Sequence, residues 1–298
     1  MRTRNIQRLI AVAGALAVSA AAAAATKPFE KEVPAEARGV VEISNTSGSI
    51  EVSGWDKPEV SVHGEVGDGV ERVDVTSAGG RTQVRVVLPG HSSGDSDANL
   101  KVQVPRGSEL HLTTVSAVAT VSGVQGTQRL NAVSGDLVTE LAGSDLELKT
   151  VSGDVRIKGH GQPARLYVTT VSGDVHLEHG GGDLEMSSVS GTLGVTLDTA
   201  RTVRVRTTSG DLRFEGKLSR GATLEATSVS GDLNVRASAE GGYGYELSTF
   251  SGDLSNCFGA KGEQSGYVGH SLTGRLGDGA GHVRLKTMSG DIELCDRT

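Results

Sequence analysis

The stretch Leu146-Glu147-Leu148-Lys149-Thr150-Val151-Ser152-Gly153-Asp154-Val155-Arg156-Ile157 decides how this chain folds. Apolar residues stand six and four positions before Ser152, and three and five after it. Such alternation buries one face of a strand on each side of the Ser-Gly-Asp break. The same offsets give Leu166, Val168, Val175 and Leu177 around Ser172, and Val203, Val205, Leu212 and Phe214 around Ser209. Around Ser289 they give Val283, Leu285, Ile292 and Leu294. The full series of corner serines is Ser116, Ser134, Ser152, Ser172, Ser190, Ser209, Ser230, Ser251 and Ser289, with steps of 18, 18, 20, 18, 19, 21, 21 and 38 residues. A period of about 20 marks a repeat architecture in which each unit buries its apolar face against its neighbours.

Each unit reads as a strand, a sharp corner, a second strand and a looser return. The corners Ser152-Gly153-Asp154, Ser172-Gly173-Asp174, Ser209-Gly210-Asp211 and Ser230-Gly231-Asp232 are assigned a structural role. Their glycines turn the backbone where a side chain would be costly, and Ala117 alone departs from glycine. Two residues before the serine a hydroxyl dominates: Thr114, Thr150, Thr170, Ser188, Thr207, Ser228, Thr249 and Thr287. A regular strand turns this column inward, within reach of neighbouring corner backbone. The expectation is an all-β chain folded as a single-stranded parallel β-solenoid (β-helix) with coils of 18–21 residues, stacked ~4.8 Å apart. An antiparallel sandwich would not require the same tripeptide in every unit.

Residues 26–108 differ. One coil-like unit stands at Val41, Ile43, Ser47, Gly48, Ile50 and Val52, and alternating strands follow without the corner. This region reads as an N-terminal β cap, needed because an open solenoid end exposes unpaired strand edges. Residues 109–298 read as the solenoid, with an inserted loop or hairpin near 259–282, where glycine is dense and the corner motif is lost. Residues 1–25 read as an export signal: Arg2, Arg4 and Arg8 form a basic head, and Ala23 and Ala25 fit a small-x-small cleavage site. The alanine-rich stretch from Leu9 to Ala25 falls short of the ~20 strongly apolar residues of a membrane span. Without the three arginines, 26 of the 29 basic residues face 36 acidic ones, a net charge of −10. That balance argues against nucleic acid and against anionic membrane surfaces.

Stacking would align Asp136, Asp154, Asp174, Asp211, Asp232, Asp253 and Asp291 in a column broken at Thr192. Carboxylates ~5 Å apart repel by roughly 0.8 kcal/mol even in water. Asx-turn bonds to corner N–H groups would offset this, and a row of cation sites is the alternative. Gly90-His91-Ser92-Ser93-Gly94 matches a nucleophile-elbow pattern but lacks the helix that the elbow needs. His176 and His179 fall on opposite faces of one strand, so they do not form a joint metal site. A carbohydrate-active enzyme would need one local group of acids and bases, whereas these carboxylates recur in coil after coil. No catalytic residue, metal ligand or cofactor is assigned.

Cys257 and Cys295 both follow their corner serine by six residues. The 38-residue interval between those serines holds either a full extra coil or one coil with an insertion. Adjacent coils would put the two Cα atoms ~4.8 Å apart, and an intervening coil ~9.6 Å. Only the first permits a disulfide, and the insertion reading makes that bond the expectation in an exported protein.

The run Val40-Val41-Glu42-Ile43-Ser44-Asn45, the pair Gly54-Trp55, the serial Val-Ser-Gly-Asp corners, and Asn256-Cys257-Phe258 with Leu294-Cys295 resemble the bacterial "putative adhesin" β-strand-repeat family over roughly residues 38–298. The resemblance implies a solenoid in an exported envelope protein and offers no catalytic residues. The expected function is a non-enzymatic adhesin or interaction and sensing scaffold, periplasmic or at the cell surface. Its expected partner is an envelope protein or a glycan, with no membrane span after signal cleavage. A cation- or glycan-binding module is the alternative.

Overall fold

The computed structural model describes residues 26–90, 94–259, 263–264 and 269–296. Residues 1–25, read above as an export signal, the His91-Ser92-Ser93 centre of the nucleophile-like match, and part of the 259–282 insertion lie outside these residues. The chain is all-β and joins its strands into one 21-stranded sheet. Among the described residues no helix is long and apolar enough to cross a membrane.

The architecture is a β-solenoid-like stack in which inward positions repeat in register. Leu148 sits between Leu130 and Val168, and Val155 between Leu137 and Val175, all in parallel pairing. These residues are fully buried and belong to one continuous core with Phe214, Leu224 and Leu285. Strands such as Val175–Ser190 and Leu193–Ser209 run through the return without a break, closing one coil and opening the next. The expectation at offsets −6, −4, +3 and +5 therefore describes the buried face.

Spatial order departs from chain order at both ends. The Ser230 coil pairs with the Ser289 coil through Leu224↔Val283 and Leu233↔Ile292. The Ser289 coil then pairs with the Ser251 coil through Val283↔Tyr245 and Ile292↔Leu254. The last coil of the chain thus lies between the two that precede it. Charge supplies one reason. Sequential stacking would set Glu225 beside Glu246, whereas the observed order places Arg284 between them, and Arg284 bonds Glu246 at 2.7 Å.

The strand His270–Ser289 makes this arrangement by clasping Tyr243–Ser251 on both edges. Thr249↔His270, Leu247↔Leu272 and Tyr245↔Gly274 run in opposite directions on one edge. Leu247↔Leu285 and Thr249↔Thr287 run parallel on the other. Between them the chain passes over the turn at Gly241-Gly242, where the Asp278 N–H donates to the Gly241 carbonyl at 2.7 Å. A Cβ on Gly242, which has φ +82°, would lie 2.0 Å from the Leu276 carbonyl oxygen. The glycine-dense insertion is the crossing itself.

The N-terminal end is built similarly. Val40–Trp55 is a coil in parallel register with the Ser116 coil, through Val41↔Leu110 and Ile50↔Ala119. On its other side lie Arg81–Val87 and Ala98–Pro105, also parallel, so a later segment forms the outer coil. Pairing is continuous across residue 108, and the stack extends into the region read as a cap. The capping itself comes from Arg72–Ala78, Glu59–Val66 and Lys27–Pro34, which reverse to antiparallel pairing. Such reversal and coverage shield parallel edges from further strand addition.

Candidate functional site

One long edge of the stack is made of the corners, and it carries the most organised chemistry of the molecule. At Gly153 φ is +109°, and an added Cβ would stand 2.4 Å from the Gly135 carbonyl oxygen of the coil below. Position 153 must therefore be glycine for both conformation and clearance. The Ser152 N–H donates to the Val133 carbonyl at 2.9 Å, and Ser172, Ser190 and Ser134 repeat this bond. Inward from the corner, the Thr150, Thr170 and Ser188 hydroxyls donate to the carbonyls of Ser152, Ser172 and Ser190. The Thr249 and Thr287 hydroxyls instead reach Gly290 and Gly231 of neighbouring coils.

The aspartates act between coils rather than as local Asx turns, which corrects the expected offset to their repulsion. Asp136 Oδ1 accepts the Asp154 N–H at 3.0 Å, and Asp154 Oδ1 accepts the Asp174 N–H at 3.2 Å. Asp174 Oδ1 takes the Thr192 N–H at 2.8 Å. Beyond Thr192 the ladder resumes from Asp211 to Asp232, Asp232 to Asp291 and Asp291 to Asp253, repeating the interleaved coil order. Among the described residues none of these seven carboxylates pairs with a lysine or arginine.

Immediately before the corner serines stands an outward column, apolar at every coil except that of Thr208. In spatial order the column is Val115, Val133, Val151, Val171, Val189, Thr208, Val229, Met288 and Phe250. Its valines are 42–48% exposed, and Met288 and Phe250 about 60%. Val118, 48% exposed where other corners hold aspartate, adds to the column at its start. Isolated surface valines are ordinary, but a contiguous exposed apolar row marks an interaction surface. Sequence reading named the valine within Val-Ser-Gly-Asp but gave it no role. The signal was present, because inward residues at −6, −4 and −2 leave −1 facing out.

The rest of that face is electrostatically balanced. Lys149 bonds Glu147, Arg206 approaches Glu185 at 3.4 Å, and Lys286 lies 3.2 Å from Glu246. The bond from Arg284 holds the Glu246 carboxyl below its ordinary pKa against the opposing effect of desolvation. On the second-strand face a cleft of about 490 Å³ is lined by Gly194, His176, Glu178, Arg213 and Arg236, among others. His176 lines this cleft, whereas His179, at φ 52°, sets Nδ1 3.2 Å from Asp198 Oδ1. The structure does not bring the two histidines to one centre. Cys257 and Cys295 are joined by a disulfide between the adjacent Ser251 and Ser289 coils, with Cα atoms 4.9 Å apart.

A family model described as Toastrack DUF4097 matches this chain twice, over residues 32–191 and 92–295. Two overlapping matches are what a repeated coil produces. No curated protein matches. Among solved structures, the chain is similar to a putative lipid binding protein from Parabacteroides distasonis, at 15% identity over 90% of this chain and 96% of that one, with a TM-score of 0.49. A putative adhesin from Bacteroides fragilis shares 12% identity over 90% and 97%, with a TM-score of 0.46. A putative cell adhesion protein from Clostridium sporogenes shares 13% over 91% and 100%, with a TM-score of 0.23.

Proposed function

This chain belongs to the Toastrack DUF4097 family, and from that premise we propose that it is a non-enzymatic interaction scaffold of the cell envelope, exported and cleaved after Ala25. The scaffold is a single-stranded solenoid of 18–21-residue coils whose corner edge docks a partner. The observation that carries the reading is the exposed apolar column from Val115 to Phe250, one residue per coil of the stack and interrupted only at Thr208. Removing such surface from water is the main favourable contribution to association. Loop-built sites adapt to a ligand, whereas this edge presents valine at five successive coils from Val115 to Val189.

The test is site-specific photo-cross-linking of the full chain in its native cells. A cross-linker at Val171 should capture a discrete envelope partner, and one at Arg213 on the second-strand face should not. Equal capture from both positions, or none from Val171, would remove the corner edge as a docking site. Sequencing of the mature protein should begin at Thr26; an intact N-terminus in a cytoplasmic fraction would refute export.

A further inference from the structure

The corner edge pairs two features that together describe a partner. The apolar column runs beside a column of carboxylates that no lysine or arginine of the described chain neutralises. On the opposite flank Lys149, Arg206 and Lys286 are already matched by Glu147, Glu185 and Glu246. The unmatched carboxylates therefore lie on one side only, and two positions beyond Asp136, Asp154 and Asp174 the same strands carry Val138, Arg156 and His176, a single arginine against three carboxylates. We infer that the edge from Val115 to Val189 binds a cationic amphipathic α-helical segment, with its apolar stripe on the valines and its lysines or arginines over Asp136, Asp154 and Asp174. This inference rests on the reading of the corner edge as a docking surface.

Spacing favours a helix over a strand. Coils recur every ~4.8 Å, and a helix presents one face every ~5.4 Å. Over the four steps from Val115 to Val189 the mismatch accumulates to ~2.4 Å, about half a coil. A strand presents one face every ~6.7 Å and loses register within two coils. Four coil steps cover ~19 Å, or about 13 helical residues. The carboxylate column stops at the Val189 corner itself, with Thr192, and the apolar column one coil later, with Thr208, which ends the run. Charge also disfavours other occupants. A second copy would bring its own aspartate column close to this one, and an anionic bilayer would be repelled by it.

The experiment uses the mature full-length chain and an 18-residue helical peptide of leucine and lysine, with leucines at i, i+3, i+4 and i+7. Its counterpart has glutamate in place of lysine. The lysine peptide should bind saturably at one site and weaken as salt rises; the glutamate peptide should not bind. Replacing Val133, Val151 and Val171 by Thr, the residue this column already carries at 208, should weaken binding at least tenfold with the melting temperature unchanged. Asp154→Asn with Asp174→Asn should weaken binding and flatten its salt dependence, and provides a second variant set should the first disturb folding. Unchanged binding by the valine variant would overturn the inference, as would equal binding of both peptides. So would sedimentation of the parent as a dimer that the valine variant dissolves, or capture of the parent by phosphatidylglycerol vesicles. If the peptide fails while Val171 still captures a partner in cells, the partner chemistry is wrong and the docking edge stands. If both fail, the edge itself falls.

Discussion

Asp174 shows how one side chain serves the stack without chemistry of its own. Its Oδ1 accepts the Thr192 N–H, and its own N–H donates to Asp154. An amide oxygen can take the same N–H, so Asp174→Asn should change stability little, with relief of like-charge repulsion compensating a weaker bond. Asp174→Ala removes the acceptor and should cost about 1 kcal/mol in chemical denaturation. A melting temperature that rises in millimolar calcium, and no longer does so in Asp174→Asn, would instead make the column a cation site. Sequence alone places these aspartates in a column, because a constant offset from Ser-Gly needs no tertiary knowledge. It does not say which N–H each carboxylate accepts, since that depends on the rise between coils. The outward direction of Val171 is legible too, because inward Leu166, Val168 and Thr170 leave it facing out; which valines become neighbours in the column depends on the stacking order of the coils.

At the scale of elements, the inward columns carry the stability. Leu177 is buried between coils, and Leu177→Ala should cost 2–5 kcal/mol, the range for a leucine truncated in a close-packed core. The clasp of His270–Ser289 around Tyr243–Ser251 depends on Gly242, where both φ and the Leu276 carbonyl exclude a side chain. Gly242→Ala should cost ~1–3 kcal/mol of backbone strain and loosen the C-terminal coils first, seen as faster amide exchange at Leu247 and Leu285. Glu246 ties the same two coils through Arg284 and Lys286. Because its pKa is depressed in the folded state, its contribution is present above the ordinary carboxylate range and fades as pH falls through the lowered value. Glu246→Gln should therefore melt below the parent at pH 7, and the gap should close in acid. A gap that persists in acid would mean that packing, not charge, sets the difference.

For the whole molecule, both ends of the stack are sewn in by segments that return out of chain order. The Ser251 coil is outermost, the Ser289 coil lies beneath it, and the Cys257–Cys295 disulfide joins the two. Closing 38 residues is worth roughly 4 kcal/mol by loop entropy, so reduction should lower the unfolding midpoint without changing the coil pairing. The 38-residue interval reveals an insertion, but nine nearly identical corners carry no label for who stacks on whom. Only the sign pattern Glu225, Arg284, Glu246 hinted at the order, and it is legible only once the coils are aligned. Continuity of the apolar edge rests on that order, because it makes Val229, Met288 and Phe250 consecutive. Paired cysteines on this exposed column test it most directly. Val229→Cys with Met288→Cys places the Cα atoms on adjacent coils, ~4.8 Å apart, within disulfide reach. Val229→Cys with Phe250→Cys places them two coils apart, ~9.6 Å, beyond it. Mild oxidation should link the first pair and leave the second free; a bond between 229 and 250 with none between 229 and 288 would contradict the interleaved stack.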